Sequence, residues 1–136
     1  MYKSSTSVRV RYAETDQMGV VYYGNYPQFF EVGRVEALRQ LGTTYRALEE
    51  RGIMLPVLSL NVKYIRSATY DEKIEIVTII KELPNTRISF HHEIYNEAGT
   101  LLTTGSVQLV FVDAETRRPR QAPEDFVALF EGYFRD

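Results

Sequence analysis

The sequence predicts an α+β fold, in which one long helix packs against an antiparallel five-stranded sheet. Two observations support this prediction. Between residues 26 and 41, apolar residues recur every three or four positions, as on a helix that is buried along one side. Five other segments carry apolar residues at alternate positions, as strands do, and the later segments are joined by short connections that suit antiparallel neighbours.

The first strand is predicted near the start of the chain. Val8, Val10 and Tyr12 alternate with polar residues, which is the period of a half-buried strand. A polar turn over residues 14–19 follows it. The sheet therefore begins before the long helix.

The long helix is predicted over residues 26–41. Pro27 lies in the first turn, where its missing N–H is not needed, and Gly42 is a stop signal. Gly33 lies within the apolar side of the helix, where it costs up to about 1 kcal/mol relative to alanine. We therefore expect the helix to approach the sheet closely at Gly33.

The remaining elements are a short helix, four strands and a terminal helix. The short helix is predicted over residues 44–51, with Thr43 or Thr44 as its N-cap. The strands are recognised by alternating apolar residues and centre on residues 58–64, 74–80, 88–94 and 107–111. Helical spacing of apolar residues predicts the terminal helix over residues 124–134. Because a five-stranded sheet has open edges, we expect a homodimer joined along edge strands.

The composition excludes or disfavours several kinds of site and partner. The 136 residues, 44% hydrophobic and 25% charged, are typical of one globular domain spanning residues 1–136. The chain has no cysteine, which excludes a disulfide, a thiolate metal site and a cysteine nucleophile, and its two histidines disfavour a histidine-rich metal site. A net charge of −2 disfavours nucleic acid as a partner. With no signal-peptide pattern and no apolar run near the roughly 20 residues of a membrane span, we expect a cytoplasmic protein.

The most unusual stretch covers residues 9–26. It places Asp16 in a turn after a strand and, a few residues later, backbone at the start of the long helix. The first N–H groups of a helix are unpaired and carry about half a positive charge, so they can bind a developing oxyanion. A carboxylate and such donors are the minimum for hydrolysing an activated acyl group. In the alternative interpretation, Asp16 only caps a turn, and Gly19 and Gly24 are turn glycines.

A set of residues within this stretch carries a resemblance to a known family: Thr15, Asp16, Gly19, Val20, Val21, Tyr22, Asn25 and Tyr26, followed by a phenylalanine-rich helix with Glu31. The pattern resembles the 4-hydroxybenzoyl-CoA thioesterase family. It is especially similar to the branch of short-chain acyl-CoA thioesterases associated with Tol-Pal gene clusters. Residues 64–71 and 118–120 resemble two further segments of that family, so the resemblance covers most of the chain.

The resemblance implies a hot-dog fold, with the sheet wrapped around the long helix, in dimers or tetramers with active sites at the subunit interface. It implies hydrolysis of an acyl-CoA thioester without a metal or redox cofactor, coenzyme A being part of the substrate. Asp16 would attack the thioester carbonyl or activate a water, and an N–H near Tyr23 or Gly24 would polarise that carbonyl. The substrate-binding positions that accompany them in the motif are Gly19, Val20, Tyr22 and Asn25.

One position departs from the family pattern. Many members of the acyl-CoA branch have histidine seven residues after the catalytic aspartate, where this chain has Tyr23. Tyrosine occurs there in the hydroxybenzoyl-CoA branch, so activity is compatible with Tyr23, but a histidine base at this position is excluded. A hot-dog hydratase is disfavoured for the same reason. The departure leaves one alternative function, a non-catalytic acyl-thioester-binding module or partner of acyl carrier protein.

Glu31 and the two histidines are secondary candidates. In other hot-dog enzymes a helix glutamate serves as base or nucleophile, so Glu31 is a second candidate, and an exposed helix carboxylate is the alternative. His91 and His92 are adjacent on a predicted strand and point to opposite faces, which excludes a metal site shared by the pair.

Several cations could hold the phosphates of coenzyme A, because the mouth of a pantetheine tunnel needs positive charge. The candidates are Lys63, Arg66, Arg87, Arg117, Arg118 and Arg120. The last three form the densest basic cluster of the chain. Simple solvation at the surface is the alternative for each.

Overall fold

The computed structural model describes residues 1–135. Its antiparallel sheet has the order β1-β4-β5-β6-β3, with β1 at Tyr2–Arg9, β3 at Val57–Tyr64, β4 at Lys73–Ile80, β5 at Arg87–Asn96 and β6 at Leu101–Val110. The helices are α1 at Tyr26–Leu41, α2 at Tyr45–Glu50 and α3 at Glu124–Ala128. Two further short strands, β2 at Ile53–Met54 and β7 at Val112–Asp113, pair with each other and were not predicted. The predicted α+β architecture is confirmed.

Helix α1 packs on one face of the sheet through its apolar side. The Phe30 ring stacks on His92 of β5, with ring centroids 4.7 Å apart. Gly33 is buried against β4, and a Cβ built on it would lie 2.7 Å from Ile76 Cγ2. The close approach expected at Gly33 is therefore confirmed.

The helix boundaries follow their local signals. Helix α1 begins with Pro27 in its first turn, and Gly42 ends it in the left-handed conformation with φ of 106°. Thr44 caps α2, because its hydroxyl oxygen accepts a hydrogen bond from the Ala47 N–H at 3.0 Å. These predictions are confirmed.

The predicted bounds of the first strand are wrong. The strand pairs with β4 from Tyr2, opposite Ile80, to Arg9, opposite Lys73, so it ends where its partner begins. Tyr12 lies beyond it in a short 3-10 turn with 78% of its surface exposed. The alternation predicted the correct face, but the inward position Ser4 is not apolar and hid the first half of the strand.

The strand predicted at residues 58–64 is confirmed as β3, but its apolar side chains are mostly exposed. Along its whole length the side chains are exposed except for the half-buried Val62. Leu60 lies opposite the buried Val107 of β6. Both side chains are on the face of the sheet against which α1 packs. The sequence pattern thus identified the face, but β3 is the edge strand of the sheet, and Val62 is its one residue that is half-buried.

The carboxyl-terminal segment is less helical than predicted. Instead of one helix over residues 124–134, α3 ends at Ala128 and a 3-10 turn follows at Glu131–Tyr133. Phe126 and Phe130 are buried, which accounts for the helical spacing seen in the sequence. Strand β5 is longer than predicted because its outermost residues are polar, and β6, which begins at Leu101, is longer than predicted because residues 103–106 interrupt the apolar alternation within it.

Candidate active site

Asp16 begins a tight turn between two bridged segments. Thr15 and Val21 form an antiparallel bridge, the Asp16 N–H donates to the Val20 carbonyl at 2.9 Å, and the Gly19 N–H donates to the Asp16 carbonyl at 3.0 Å. Gly19 has φ of 78°, a conformation that favours glycine, so its turn role is confirmed.

The Asp16 carboxylate is half-buried and only partly used by this turn. Its Oδ1 accepts a hydrogen bond from the Met18 N–H at 2.8 Å. No hydrogen bond reaches Oδ2 from any of the residues 1–135, and the carboxylate forms no ion pair with them. Asp16 therefore caps its turn with one oxygen, and the other accepts no hydrogen bond from residues 1–135.

The turn is held against the second segment that carries the family resemblance. Val20 bridges Thr69, the Val21 N–H donates to the Ala68 carbonyl at 2.9 Å, and the Tyr70 N–H donates to the Gly19 carbonyl at 3.3 Å. Two stretches far apart in sequence therefore form one surface around Asp16.

The start of the long helix supplies the backbone donors. A 3-10 turn at Tyr23–Asn25 leads directly into α1, and the Asn25 N–H donates to the Tyr22 carbonyl at 2.9 Å. The N–H groups of Tyr23 and Gly24 lie in the first helical turn, where N–H groups have no partner within the helix. A Cβ on residue 24 would lie 2.6 Å from the Tyr22 ring, so glycine lets that ring lie beside the backbone.

A short network joins the Asp16 turn to the helix start. The Glu14 carbonyl accepts hydrogen bonds from the Tyr22 N–H and from Asn25 Nδ2, both at 2.9 Å. Glu14 is buried, and its own carboxylate accepts a hydrogen bond from the Arg11 N–H at 2.7 Å. Glu14 was not among the predicted site residues. Its position two residues before Asp16 could be read from the sequence. Nothing in the sequence indicated that its carbonyl would anchor the start of the helix.

An aromatic cluster covers the same region. Tyr64, at the end of β3, donates a hydrogen bond from Oη to the Tyr23 carbonyl at 3.0 Å, and its ring lies edge-on to that of Tyr26 at 5.4 Å. Tyr26 is buried, and burial raises the pKa of its phenol. Tyr22, Tyr23 and Tyr64 are exposed. Sequence reasoning missed Tyr64 as a site residue, because it lies on a different strand from the motif.

The secondary candidates are not all brought to this site. Glu31 is exposed on α1. Lys63 precedes Tyr64 on β3, so its side chain points to the opposite face of the sheet, and Arg66 follows the end of β3; both are exposed. Four arginines lie at the opposite end of β5 and β6: Arg87, Arg117, Arg118 and Arg120.

His92 is a core residue. It is 1% exposed, and its Nδ1 lies 3.1 Å from the Thr78 hydroxyl. Burial, together with the cation of Arg34, lowers its pKa to about 3. His91 is half-buried and points to the other face, as the adjacent positions predicted.

Residues 1–135 contain neither a metal-binding cluster of side chains nor a helix that could span a membrane. No three histidine, aspartate or glutamate side chains in this part of the chain are grouped so that they could hold a metal ion. None of its helices combines the length and apolar character that crossing a membrane would take.

Comparisons with known proteins agree on one family. The profile of the thioesterase-like superfamily matches residues 10–130. The acyl-CoA thioester hydrolase YbgC of Escherichia coli O157:H7 is 36% identical over 91% of this chain and 92% of its own length. A DHNA-CoA thioesterase from Staphylococcus aureus has a TM-score of 0.92 at 38% identity, covering 98% of this chain and 91% of its own. An aspartate-to-asparagine mutant of a 4-hydroxybenzoyl CoA thioesterase, complexed with 4-hydroxybenzoyl CoA, has a TM-score of 0.84 at 25% identity. The match covers 95% of this chain and 99% of the mutant's chain.

Proposed function

The chain belongs to the thioesterase-like superfamily and has its hot-dog fold, and from this premise we propose that it hydrolyses an acyl-CoA thioester to a free carboxylic acid and coenzyme A. The observation that carries the proposal is the Asp16 carboxylate, which keeps one oxygen free of protein donors among residues 1–135. It lies in a turn that hydrogen bonds connect to the first turn of α1. The names of the YbgC relative and of the structural neighbours support the reaction class.

In the proposed reaction, the Asp16 carboxylate attacks the thioester carbonyl, or deprotonates a water that attacks it. Direct attack forms a bond from the carboxylate oxygen to the carbonyl carbon, breaks the C–S bond and releases coenzyme A as thiolate. Water then hydrolyses the resulting anhydride, which restores Asp16 and releases the acid. In the other route, water adds directly and the same C–S bond breaks.

The negative charge that develops on the carbonyl oxygen needs donors, and the Tyr23 and Gly24 N–H groups are the ones we assign. Removing one such donor in acyl-transfer enzymes costs about 10²–10³-fold in kcat. Because residue 23 is tyrosine, no imidazole at this position takes part. Glu31 remains the second candidate for a base.

We propose a homodimer joined along β3 as the working assembly. Four large apolar residues of this edge strand are about half exposed: Val57, Leu58, Leu60 and Tyr64. The opposite edge, β1, instead presents polar side chains such as Ser5 and Ser7. Pairing of two β3 strands would cover the apolar edge and satisfy its open backbone groups. The partner subunit would then lie beside Tyr64, so both subunits would border each site. A homotetramer of two such dimers stays a prediction.

The finer substrate assignment is also proposed. Similarity to YbgC supports the short-chain branch associated with Tol-Pal gene clusters, whereas the structural neighbours include thioesterases of aromatic acyl groups. Lys63 on β3 and Arg66 just after it stay candidate partners for the phosphates of coenzyme A. The absence of a metal or redox cofactor and a cytoplasmic location both stay predictions.

The test is a thiol-release assay of the purified protein on a panel of acetyl-, butyryl-, octanoyl- and 4-hydroxybenzoyl-CoA. Asp16→Asn is expected to lower kcat at least 10³-fold. Asp113→Asn is the matched control, because Asp113 also caps a turn, through the Glu115 and Thr116 N–H groups, at the other end of β6. Its kcat is expected to stay within twofold of the wild-type value.

Two outcomes separate the site from the reaction. Full turnover by Asp16→Asn would show that the site is wrong while the reaction is right. Tight acyl-CoA binding with no thiol release from any member of the panel would instead favour the alternative function, a non-catalytic acyl-thioester-binding module or a partner of acyl carrier protein.

A further inference from the structure

The peptide bond between Tyr23 and Gly24 links a side chain of β3 to a proposed catalytic donor. A peptide unit is planar and trans, so the Tyr23 carbonyl and the Gly24 N–H lie in one plane and point in opposite directions. Tyr64 Oη donates a hydrogen bond to that carbonyl oxygen at 3.0 Å. A contact that fixes the carbonyl therefore also fixes the direction of the N–H.

Pro27 removes one backbone donor that the Tyr23 carbonyl would otherwise have. In an α-helix this carbonyl would accept a hydrogen bond from the N–H of residue 27, and proline has no N–H. The first turn is accordingly a 3-10 turn at Tyr23–Asn25 rather than a part of the α-helix. A 3-10 turn offers this carbonyl the N–H of residue 26, three residues on, and the Tyr64 hydroxyl is a further donor to it.

The Tyr64 ring is held in place by two neighbouring aromatic rings. It packs edge-on against Tyr26, with centroids 5.4 Å apart and an interplanar angle of 74°, and against Tyr23 at 6.3 Å and 87°. Tyr26 is only 2% exposed, and its Oη accepts a hydrogen bond from the Ala68 N–H at 3.3 Å. The hydroxyl of Tyr64 is therefore presented to the Tyr23 carbonyl by a packed aromatic support.

We propose that Tyr64 is a positioning residue that aims and polarises the Gly24 N–H as an oxyanion donor, an inference that rests on the proposed thioesterase function. A hydrogen bond to a carbonyl draws electron density towards its oxygen and makes the N–H of the same amide a stronger donor. A donor that is already aimed needs no reorganisation when the charge develops. Tyr64 thereby acts on the transition state without touching the reacting atoms.

The first experiment compares steady-state kinetics of Tyr64→Phe and the wild type on the acyl-CoA that the wild type hydrolyses fastest. Phenylalanine keeps the ring and removes only the hydroxyl. We expect kcat to fall about tenfold, the value of one net hydrogen bond, while KM stays within about twofold. Tyr133→Phe is the matched control, because Tyr133 is an exposed tyrosine of the carboxyl-terminal turn, and its kcat is expected to be unchanged.

The second experiment measures how strongly the donor polarises the thioester carbonyl, and it does not depend on turnover. In an Asp16→Asn background the same acyl-CoA, labelled with ¹³C at the thioester carbonyl, is bound intact and its carbonyl stretch is measured by isotope-edited infrared spectroscopy. Binding is expected to lower the stretching frequency, and adding Tyr64→Phe is expected to return it towards the free value. Thermal unfolding of each variant shows whether its fold is retained.

These experiments distinguish a failure of the proposed role of Tyr64 from a failure of the proposed thioesterase function. A folded Tyr64→Phe with wild-type kcat, or an unchanged carbonyl frequency in the double variant, would overturn the role of Tyr64 and leave the thioesterase intact. A fall in kcat explained only by unfolding, with no frequency change, would assign Tyr64 a structural role. A wild-type protein that hydrolyses no acyl-CoA would remove both proposals.

Discussion

Gly33 of α1 and Thr78 of β4 lie so close that a Cβ on residue 33 would come within 2.6 Å of the Thr78 hydroxyl oxygen. That hydroxyl also contacts His92 Nδ1 on β5 at 3.1 Å. The glycine therefore sets the distance between the helix and the centre of the sheet, and hence where the first turn of α1 meets the Asp16 turn.

Substituting Gly33 with alanine is expected to destabilise the protein. The new methyl group would crowd Thr78 and Ile76, which are both buried and cannot move aside, at about 1–3 kcal/mol. Better helix propensity offsets up to about 1 kcal/mol of this. Urea unfolding of Gly33→Ala should show a net loss, whereas Gly132→Ala, with no atom within 4 Å of the added Cβ, should change stability by less than about 0.5 kcal/mol. Equal stability of the two variants would contradict the close approach.

Acid is expected to destabilise the fold through His92. Its pKa is about 3 in the folded protein because of burial and the nearby Arg34 cation, against about 6.5 in an unfolded chain. Between these pH values only the unfolded chain binds the proton, so the free energy of unfolding falls as pH falls from 6.5 towards 3, by up to about 1.4 kcal/mol per pH unit.

Urea unfolding of His92→Asn and the wild type at pH 7, 5.5 and 4.5 measures this contribution. The variant is expected to be less stable at pH 7 but to lose less stability on acidification. His91→Asn is the control and should keep most of the wild-type pH dependence, since His91 is only half-buried. Parallel pH profiles for His92→Asn and the wild type would refute the assignment.

We expect a charge placed on the β3 edge to dissociate the proposed dimer. Leu60→Lys places an ammonium group in the centre of the exposed apolar edge and is expected to shift the protein from dimer to monomer in size-exclusion chromatography with light scattering. Activity should fall with it, because Tyr64 lies on the same strand. Ser7→Lys on the exposed side of β1 is the control and should remain dimeric. A dimeric Leu60→Lys protein would place the interface elsewhere.

Arg117 has a left-handed backbone with φ of 63° in the hairpin after β7, where its N–H donates to the Asp113 carbonyl at 2.8 Å. A residue with a Cβ pays roughly 1 kcal/mol for this conformation, so Arg117→Gly is expected to raise the free energy of unfolding by about 0.5–1 kcal/mol. Arg118→Gly, at a position without positive φ, should give no gain. Thermal unfolding distinguishes the two, and a destabilised Arg117→Gly would show that the arginine side chain outweighs the backbone strain.

Predictions from sequence were accurate where the signal is local. Helix α1 and its ends followed from side-chain period, Pro27 and Gly42, because each acts within a few residues of its own position. The bounds of β1 were wrong because an edge strand ends where its partner β4 begins, which depends on a segment far along the chain. The exposure of β3 did not follow from the sequence, because alternation shows which face a residue occupies and not whether another element covers that face.

The candidate site divides in the same way. The sequence by itself determined the carboxylate at Asp16, the turn glycine at Gly19 and a helix start at Tyr26, because these depend on neighbouring residues and on a motif within one stretch. Only the tertiary structure decided that Asp16 keeps a carboxylate oxygen free of protein donors among residues 1–135, and that Tyr64 reaches the Tyr23 carbonyl. The reason is physical, since both depend on which backbone and side-chain groups the folded sheet brings within hydrogen-bond distance.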